Sequence, residues 1–299
     1  MVTPPFLKRG DKVALVATAR KISRKELAEG LDLLQQWGYI PVIGQTIDAE
    51  DDQYAGSDSL RAQDMQRMLD DPEIKAIWCA RGGYGTVRII DSLDFYKFVK
   101  YPKWIVGYSD VTVLHSHLHK IGFQTLHATM PVSVEENSAF AKASLAKALE
   151  GKKPDIVLKT PASENRSGIA EGLLVGGNLS ILYSLCGSSS NLDTEGKILF
   201  IEDLDEYLYH IDRMIVNLKR NGMLDHLAGL IVGGMTKMHD NRIPFGKTAK
   251  EIIMDAVGEC SYPVVFDFPA GHLDDNRALV LGAQARLEVS DKKVALRYL

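Results

Sequence analysis

Cysteine is scarce in this chain. Cys79, Cys186 and Cys260 are odd in number, far apart and form no Cys-x-x-Cys pair, which argues against a disulfide framework and a zinc knuckle; their default role is small apolar filler. No stretch of about 18 apolar residues occurs, so no membrane span is expected. The start, Met1 to Lys12, carries no apolar segment of signal-peptide length, and the expectation is a cytoplasmic protein. Basic charge is also short: 35 Lys and Arg against 39 Asp and Glu leave a net charge of −4, and the basic residues are dispersed, so the electrostatic footprint of a nucleic-acid binder is missing. A dinucleotide fingerprint is absent too. Gly83-Tyr-Gly85-Thr-Val-Arg88 lacks its third glycine and has no acidic residue at the expected downstream position, so no cofactor is expected.

What is present is a chain of 299 residues, 45% hydrophobic and 25% charged, enough for one large or two ordinary domains with a substantial core. Short apolar runs alternate with helical patterns in the first half: Val13 to Ala17 then Ser23 to Trp37, Ile74 to Ala80 then Thr86 to Leu93, Trp104 to Val106 then Val111 to Lys120. That alternation predicts a parallel sheet covered by helices. Ser23 and Glu26 form a capping box, and Asp58 or Ser59 is the expected cap of a second helix. Residues 138–167 change character, an Ala/Lys-rich helix followed by a polar stretch, and divide the chain into domains 1–137 and 168–299 with 138–167 as the connection. The second half predicts strands at Gly172 to Val175, Ile198 to Ile201, Leu230 to Val232 and Val264 to Phe268, helices near Leu179 to Leu185, Tyr207 to Asn221 and Lys247 to Val257, and a terminal hairpin around Leu287 to Leu296. The fold class is α/β in both halves.

The chemistry concentrates where strands end. Lys103 to His115 is an apolar strand that runs through Gly107 and Ser109 straight into a helical pattern. A serine at such a turn projects its hydroxyl beyond the sheet and sets the next backbone N–H beside the reacting carbon. Val111 replaces the second glycine of Gly-x-Ser-x-Gly, and Ser109 has the alternative role of helix cap. A serine hydroxyl needs an imidazole to take its proton, and the imidazole needs an acid to hold its tautomer. Glu202 ends the strand that starts at Ile198, and His272 sits in the Pro/Gly loop after Phe266. Each has a bland alternative, as a solvated or capping residue. Arg81-Gly82-Gly83-Tyr84-Gly85 supplies candidate backbone donors for an oxyanion, with the Asp110 amide as a second donor; a tight turn without chemistry is the rival. Asn178 caps a helix or orients a substrate amide. Among His115, His117 and His119 only the first and last share a helix face, without the zinc-peptidase pattern, so no metal is expected.

Taken together, Arg81-Gly-Gly-Tyr-Gly, Gly107-Tyr-Ser-Asp-Val-Thr, Gly176-Gly-Asn, Ile201-Glu-Asp and Gly271-His-Leu-Asp-Asp-Asn resemble the LD-carboxypeptidase family of serine peptidases, which includes muramoyl-tetrapeptide carboxypeptidases and the microcin C self-immunity protein. The resemblance implies an amino-terminal α/β domain carrying Ser109 as nucleophile and a carboxy-terminal domain carrying His272 as base and Glu202 as its orienting acid. It also implies an oxyanion hole from the Gly83 and Asp110 amides, a site between the domains, a homodimer, and removal of a terminal D-alanine from cytoplasmic murein peptides. The immunity branch, cleaving a peptidyl-nucleotide antibiotic, ranks second because the chain looks too compact for its added loop. A non-catalytic nucleotide-binding protein ranks third. The departing carboxylate needs a cation or a cluster of N–H groups, for which Arg81 and Arg88 are the nominees, with Gly82, Tyr84 and Asn178 as further substrate-binding candidates.

Overall fold

The computed structural model describes residues 1–159 and 161–299. The first half builds β1 (Lys12–Val16), α1 (Ala28–Gln36), β2 (Ile40–Ile43), α2 (Asp58–Asp70), β3 (Ile74–Cys79), α3 (Tyr96–Lys100), β4 (Trp104–Gly107), α4 (Thr112–Lys120), β5 (Thr125–His127) and α5 (Ala139–Leu149). The second half continues with β6 (Ile156–Leu158), β7 (Gly168–Asn178), α6 (Leu179–Ser184), β8 (Ile198–Leu204), α7 (Leu208–Arg220), β9 (Gly229–Thr236), α8 (Ala249–Ala256), β10 (Val264–Val265), β11 (Leu279–Leu281), β12 (Gln284–Val289) and β13 (Val294–Tyr298).

Two sheets result, ordered β11-β5-β4-β3-β1-β2 and β10-β9-β8-β7-β12-β13-β6. In the first, β2, β1, β3, β4 and β5 run parallel and only β11 is antiparallel. In the second, β7 to β10 are parallel, while β12, β13 and β6 add antiparallel strands. Side chains alternate between sheet faces, so a strand covered on both sides must be apolar throughout. β1 shows this directly: Val13 and Leu15 join Trp78, Trp104 and Leu126 beneath α1 and α5, and Ala14 and Val16 join Ile77 and Ile105 beneath α2, α3 and α4. In the second sheet Leu199 and Ile201 face α6, α7 and α8, and Phe200 faces the opposite core with Ile231, Val265 and Leu287. Helix α7 buries Ile211, Met214, Ile215 and Leu218, the stripe expected of a 3.6-residue repeat.

Several local expectations need correction. The helix predicted over Thr86 to Leu93 is two short 3₁₀ turns, Thr86–Arg88 and Ile90–Ser92. Its backbone closes on residues three back, Arg88 N–H to Gly85 O at 3.1 Å and Ile89 N–H to Thr86 O at 3.2 Å. Thr86 N–H donates to Asp110 Oδ2 at 2.8 Å and Gly85 O also accepts from Arg61 at 3.0 Å, which anchors the start of the segment to its neighbours. The second helix is capped by Ser57, which accepts from Leu60 N–H, rather than by Asp58 or Ser59. The bonds between Ser23 and Glu26 form, but they close a turn and α1 starts at Ala28. The strand expected over Val264 to Phe268 is only two residues long. Helix α5, assigned from sequence to the connection, packs Leu145, Ala148 and Leu149 into the first sheet's core. Strand β11 crosses back from the second half to pair with β5.

Beside the cleft, β7 and β8 approach closely at Gly176, where φ is +125° and a Cβ would lie 1.9 Å from Phe200 O. Gly176→Ala is therefore expected to destabilise the protein by at least about 3 kcal/mol, read as a lowered urea midpoint. A midpoint within error of the parent would contradict this packing.

Candidate active site

The carboxyl ends of the parallel strands carry the polar side chains, as open α/β sheets require. β4 delivers the chain to Ser109, which is half-buried and held at φ +63°, a left-handed conformation that costs an L-residue roughly 1–2 kcal/mol. Such strain persists where surrounding structure over-determines it. Among the described residues the Ser109 hydroxyl makes no hydrogen bond, and the side-chain cap of α4 is absent, so the serine does not serve as a helix cap. Three residues on, Thr112 Oγ1 accepts from Asn178 N–H at 3.0 Å and fastens the turn to the end of β7.

Asn178 is paired in register with Glu202 on β8, which does not end at Glu202 as expected but stays paired with β9 through Leu204. Glu202 is fully buried, and its Oε2 accepts from the backbone N–H of His272 at 3.2 Å and lies 2.6 Å from the ring Nδ1. Burial opposes ionisation of Glu202. The adjacent His272 ring, by charge and hydrogen bond, outweighs burial and holds the carboxyl below its ordinary range. Burial likewise disfavours the His272 imidazolium, and the Glu202 charge reverses that, raising its pKa above the ordinary histidine value. The Tyr108 ring meets His272 edge to face at 4.9 Å between centroids, which sets the imidazole beside the Ser109 turn. Ser109 and His272 make no direct hydrogen bond among the described residues.

The glycine loop after β3 closes the other side. A Cβ at Gly82 would stand 3.0 Å from Ser109 Cβ and 3.1 Å from its Oγ, so the loop lies directly on the serine and a side chain there would push the two apart. The backbone N–H of Gly83 has no protein partner among the described residues. Asp110, buried with its pKa raised by burial, ties the serine turn to this loop through Thr86. Beneath the loop, the fully buried Arg61 donates to Thr18 O at 2.6 Å, Gly85 O at 3.0 Å and Gly56 O at 3.2 Å. One guanidinium thus pins the loops after β1 and β3 together. A serine held in strain, an imidazole oriented by a buried carboxylate, and an uncommitted amide beside them form the parts list of acyl transfer.

Residues 13–128 match the LD-carboxypeptidase N-terminal domain and residues 171–287 match the LD-carboxypeptidase C-terminal domain. The "probable murein peptide carboxypeptidase" of Bacillus subtilis is 34% identical over 298 residues, covering 98% of this chain and 93% of that protein. The chain belongs to the LD-carboxypeptidase family. It is a serine-type carboxypeptidase. The murein tetrapeptide carboxypeptidase of Pseudomonas aeruginosa is 28% identical and is covered over 93% of both chains. The crystal structure of muramoyltetrapeptide carboxypeptidase from Oxalobacter formigenes superposes with a TM-score of 0.85 at 27% identity, covering 96% of this chain and 98% of that one.

In this carboxypeptidase the nominated arginines are engaged elsewhere. Arg81 pairs with Glu26 at 3.3 Å and Arg88 with Asp58 at 2.7 Å. Tyr84 is exposed beside Tyr54. Asn178 is buried, caps α6 through Ile181 N–H and donates to Asp203, so capping is its visible role. Of the histidines, His115 bonds Gly107 O and His117 bonds Ser190. His127 lies buried between Tyr108 and Phe200, where burial pulls its pKa to about 4. Among the described residues no group of three potential ligands is placed to hold a metal, and no helix is long and apolar enough to cross a membrane. Sequence reasoning passed over Arg61 and Arg20. Arg20 follows the end of β1 and Arg61 lies in the first turn of α2, and nothing local says what either touches.

Proposed function

We propose that this carboxypeptidase releases the terminal D-alanine of murein tetrapeptide, with Ser109 as nucleophile, His272 as general base, Glu202 as its orienting acid and the Gly83 and Asp110 amides as oxyanion donors. The observation that carries the reading is the 2.6 Å pair of Glu202 and His272 Nδ1 beside the strained Ser109 turn, in a chain whose relatives bear murein peptide names. A carboxylate accepting from Nδ1–H leaves the lone pair on Nε2, which is the nitrogen that must take the serine proton. Ser109 Oγ then bonds to the scissile carbonyl carbon, the oxyanion is received by the two amides, and collapse passes the proton from Nε2 to the departing amine. Water repeats the sequence on the acyl-enzyme and restores the serine. The missing link between Ser109 and His272 closes as substrate settles, since such bonds are often long in unliganded sites. The same reading, through the family resemblance, sets the enzyme in cytoplasmic cell-wall recycling as a homodimer.

The test is mass spectrometry of murein tetrapeptide incubated with the protein. The expected product has lost one alanine, with the same rate after exhaustive chelation. An intact tetrapeptide alongside a cleaved acyl-sulfamoyl adenylate would transfer the enzyme to the microcin-immunity reading.

A further inference from the structure

The reading above leaves one requirement unmet: a carboxypeptidase must recognise the free carboxylate of the residue it removes. Standard bond lengths put that carboxylate carbon less than about 4 Å from the scissile carbonyl carbon, so its cation must stand at the rim of the glycine loop that touches Ser109. We propose that Arg20 is that cation, forming a terminal-carboxylate subsite; the inference rests on the reaction proposed above.

Arg20 leaves the carboxyl end of β1 and is fixed from both sides. Its N–H donates to Gly82 O at 3.4 Å, and its backbone bridges to Tyr54 while neighbouring Ala19 O accepts from Ala55 N–H at 3.0 Å. Its side-chain stem lies flat on Gly83, where a Cβ would come within 2.3 Å of Arg20 Cδ. The next glycine, Gly82, is the one against Ser109 Oγ. The stem therefore runs along the loop that offers the Gly83 amide to the oxyanion. The neighbouring cations are committed: Arg81 to Glu26, Arg88 to Asp58 and Lys21 to Glu50, and Arg61 is sealed beneath the loop against backbone carbonyls. Arg20 is exposed and, among the described residues, has neither an ion pair nor a side-chain hydrogen bond. A planar guanidinium is suited to grip a carboxylate with two parallel bonds.

The experiment compares the wild-type enzyme with Arg20→Gln and Arg20→Lys on the tetrapeptide and on its carboxy-terminal amide. Arg20→Gln is expected to lose about 10- to 100-fold in kcat/KM on the acid, chiefly through KM, and to match wild type on the amide, with Arg20→Lys recovering part of the loss. The urea midpoint should not move, since the guanidinium has no protein partner among the described residues and Gln keeps the stem carbons that lie on Gly83. An equal loss on both substrates, or no loss on the acid, would overturn the subsite while leaving the proposed reaction standing. A wild-type enzyme that cleaves neither substrate overturns the proposed reaction and the role of Arg20 with it.

Discussion

Ser109→Ala is expected to lower kcat by about 10⁶-fold, the loss typical of removing the nucleophile from a hydrolytic triad, with the folded structure retained. The hydroxyl makes no hydrogen bond within the protein among the described residues, so deleting it breaks no structural contact. The conformation supplies an internal control. At φ +63° alanine stays strained and glycine does not, so Ser109→Gly should be about 1 kcal/mol more stable than Ser109→Ala while equally inactive. Paired turnover and denaturation measurements separate the two effects. Turnover near wild type in a folded Ser109→Ala enzyme would remove Ser109 from the reaction.

The second large effect concerns the buried pair. His272→Ala should cost about 10⁶-fold in kcat and Glu202→Gln on the order of 10⁴-fold, because losing the base is worse than losing the group that orients it. The pH dependence distinguishes orientation from mere packing. His272 works as a base only when neutral, and Glu202 raises its pKa above 6.5 against the opposing effect of burial. Activity in kcat/KM should therefore fall as pH drops, with a midpoint above 6.5. In Glu202→Gln the charge that favours the imidazolium is gone and burial remains, so the midpoint must move to lower pH. A midpoint that stays in place while activity falls would leave Glu202 a structural support only.

The elements most legible in the sequence are those whose burial is set by their own pattern. The apolar runs at Val13, Ile74, Trp104 and Ile198 are strands because both faces of each are covered, and the Ile211-Met214-Ile215-Leu218 spacing is a helix face. Less legible were segments whose backbone bonds run to distant residues. Thr86 to Leu93 has a helical pattern, but its start is anchored to Asp110 and Arg61 from other segments and it closes only as 3₁₀ turns. β11 is three residues long, and nothing within it says which sheet it will join.

The same division runs through the site. Ser109 was marked by the turn that follows an apolar strand, whereas Glu202 lies inside β8, which continues to Leu204, and His272 sits in a loop well beyond β10, so neither is picked out by a strand that stops at it. By itself, then, the sequence determined the α/β class and the family. Tertiary structure decided which partners meet: Glu202 with His272 across 70 residues, Arg81 with Glu26, Arg88 with Asp58, and Arg20 left to lie on Gly83. The physical reason is that periodic burial is written in neighbouring residues, whereas the pairing of charges depends on distances between strands that only the assembled sheets bring within reach.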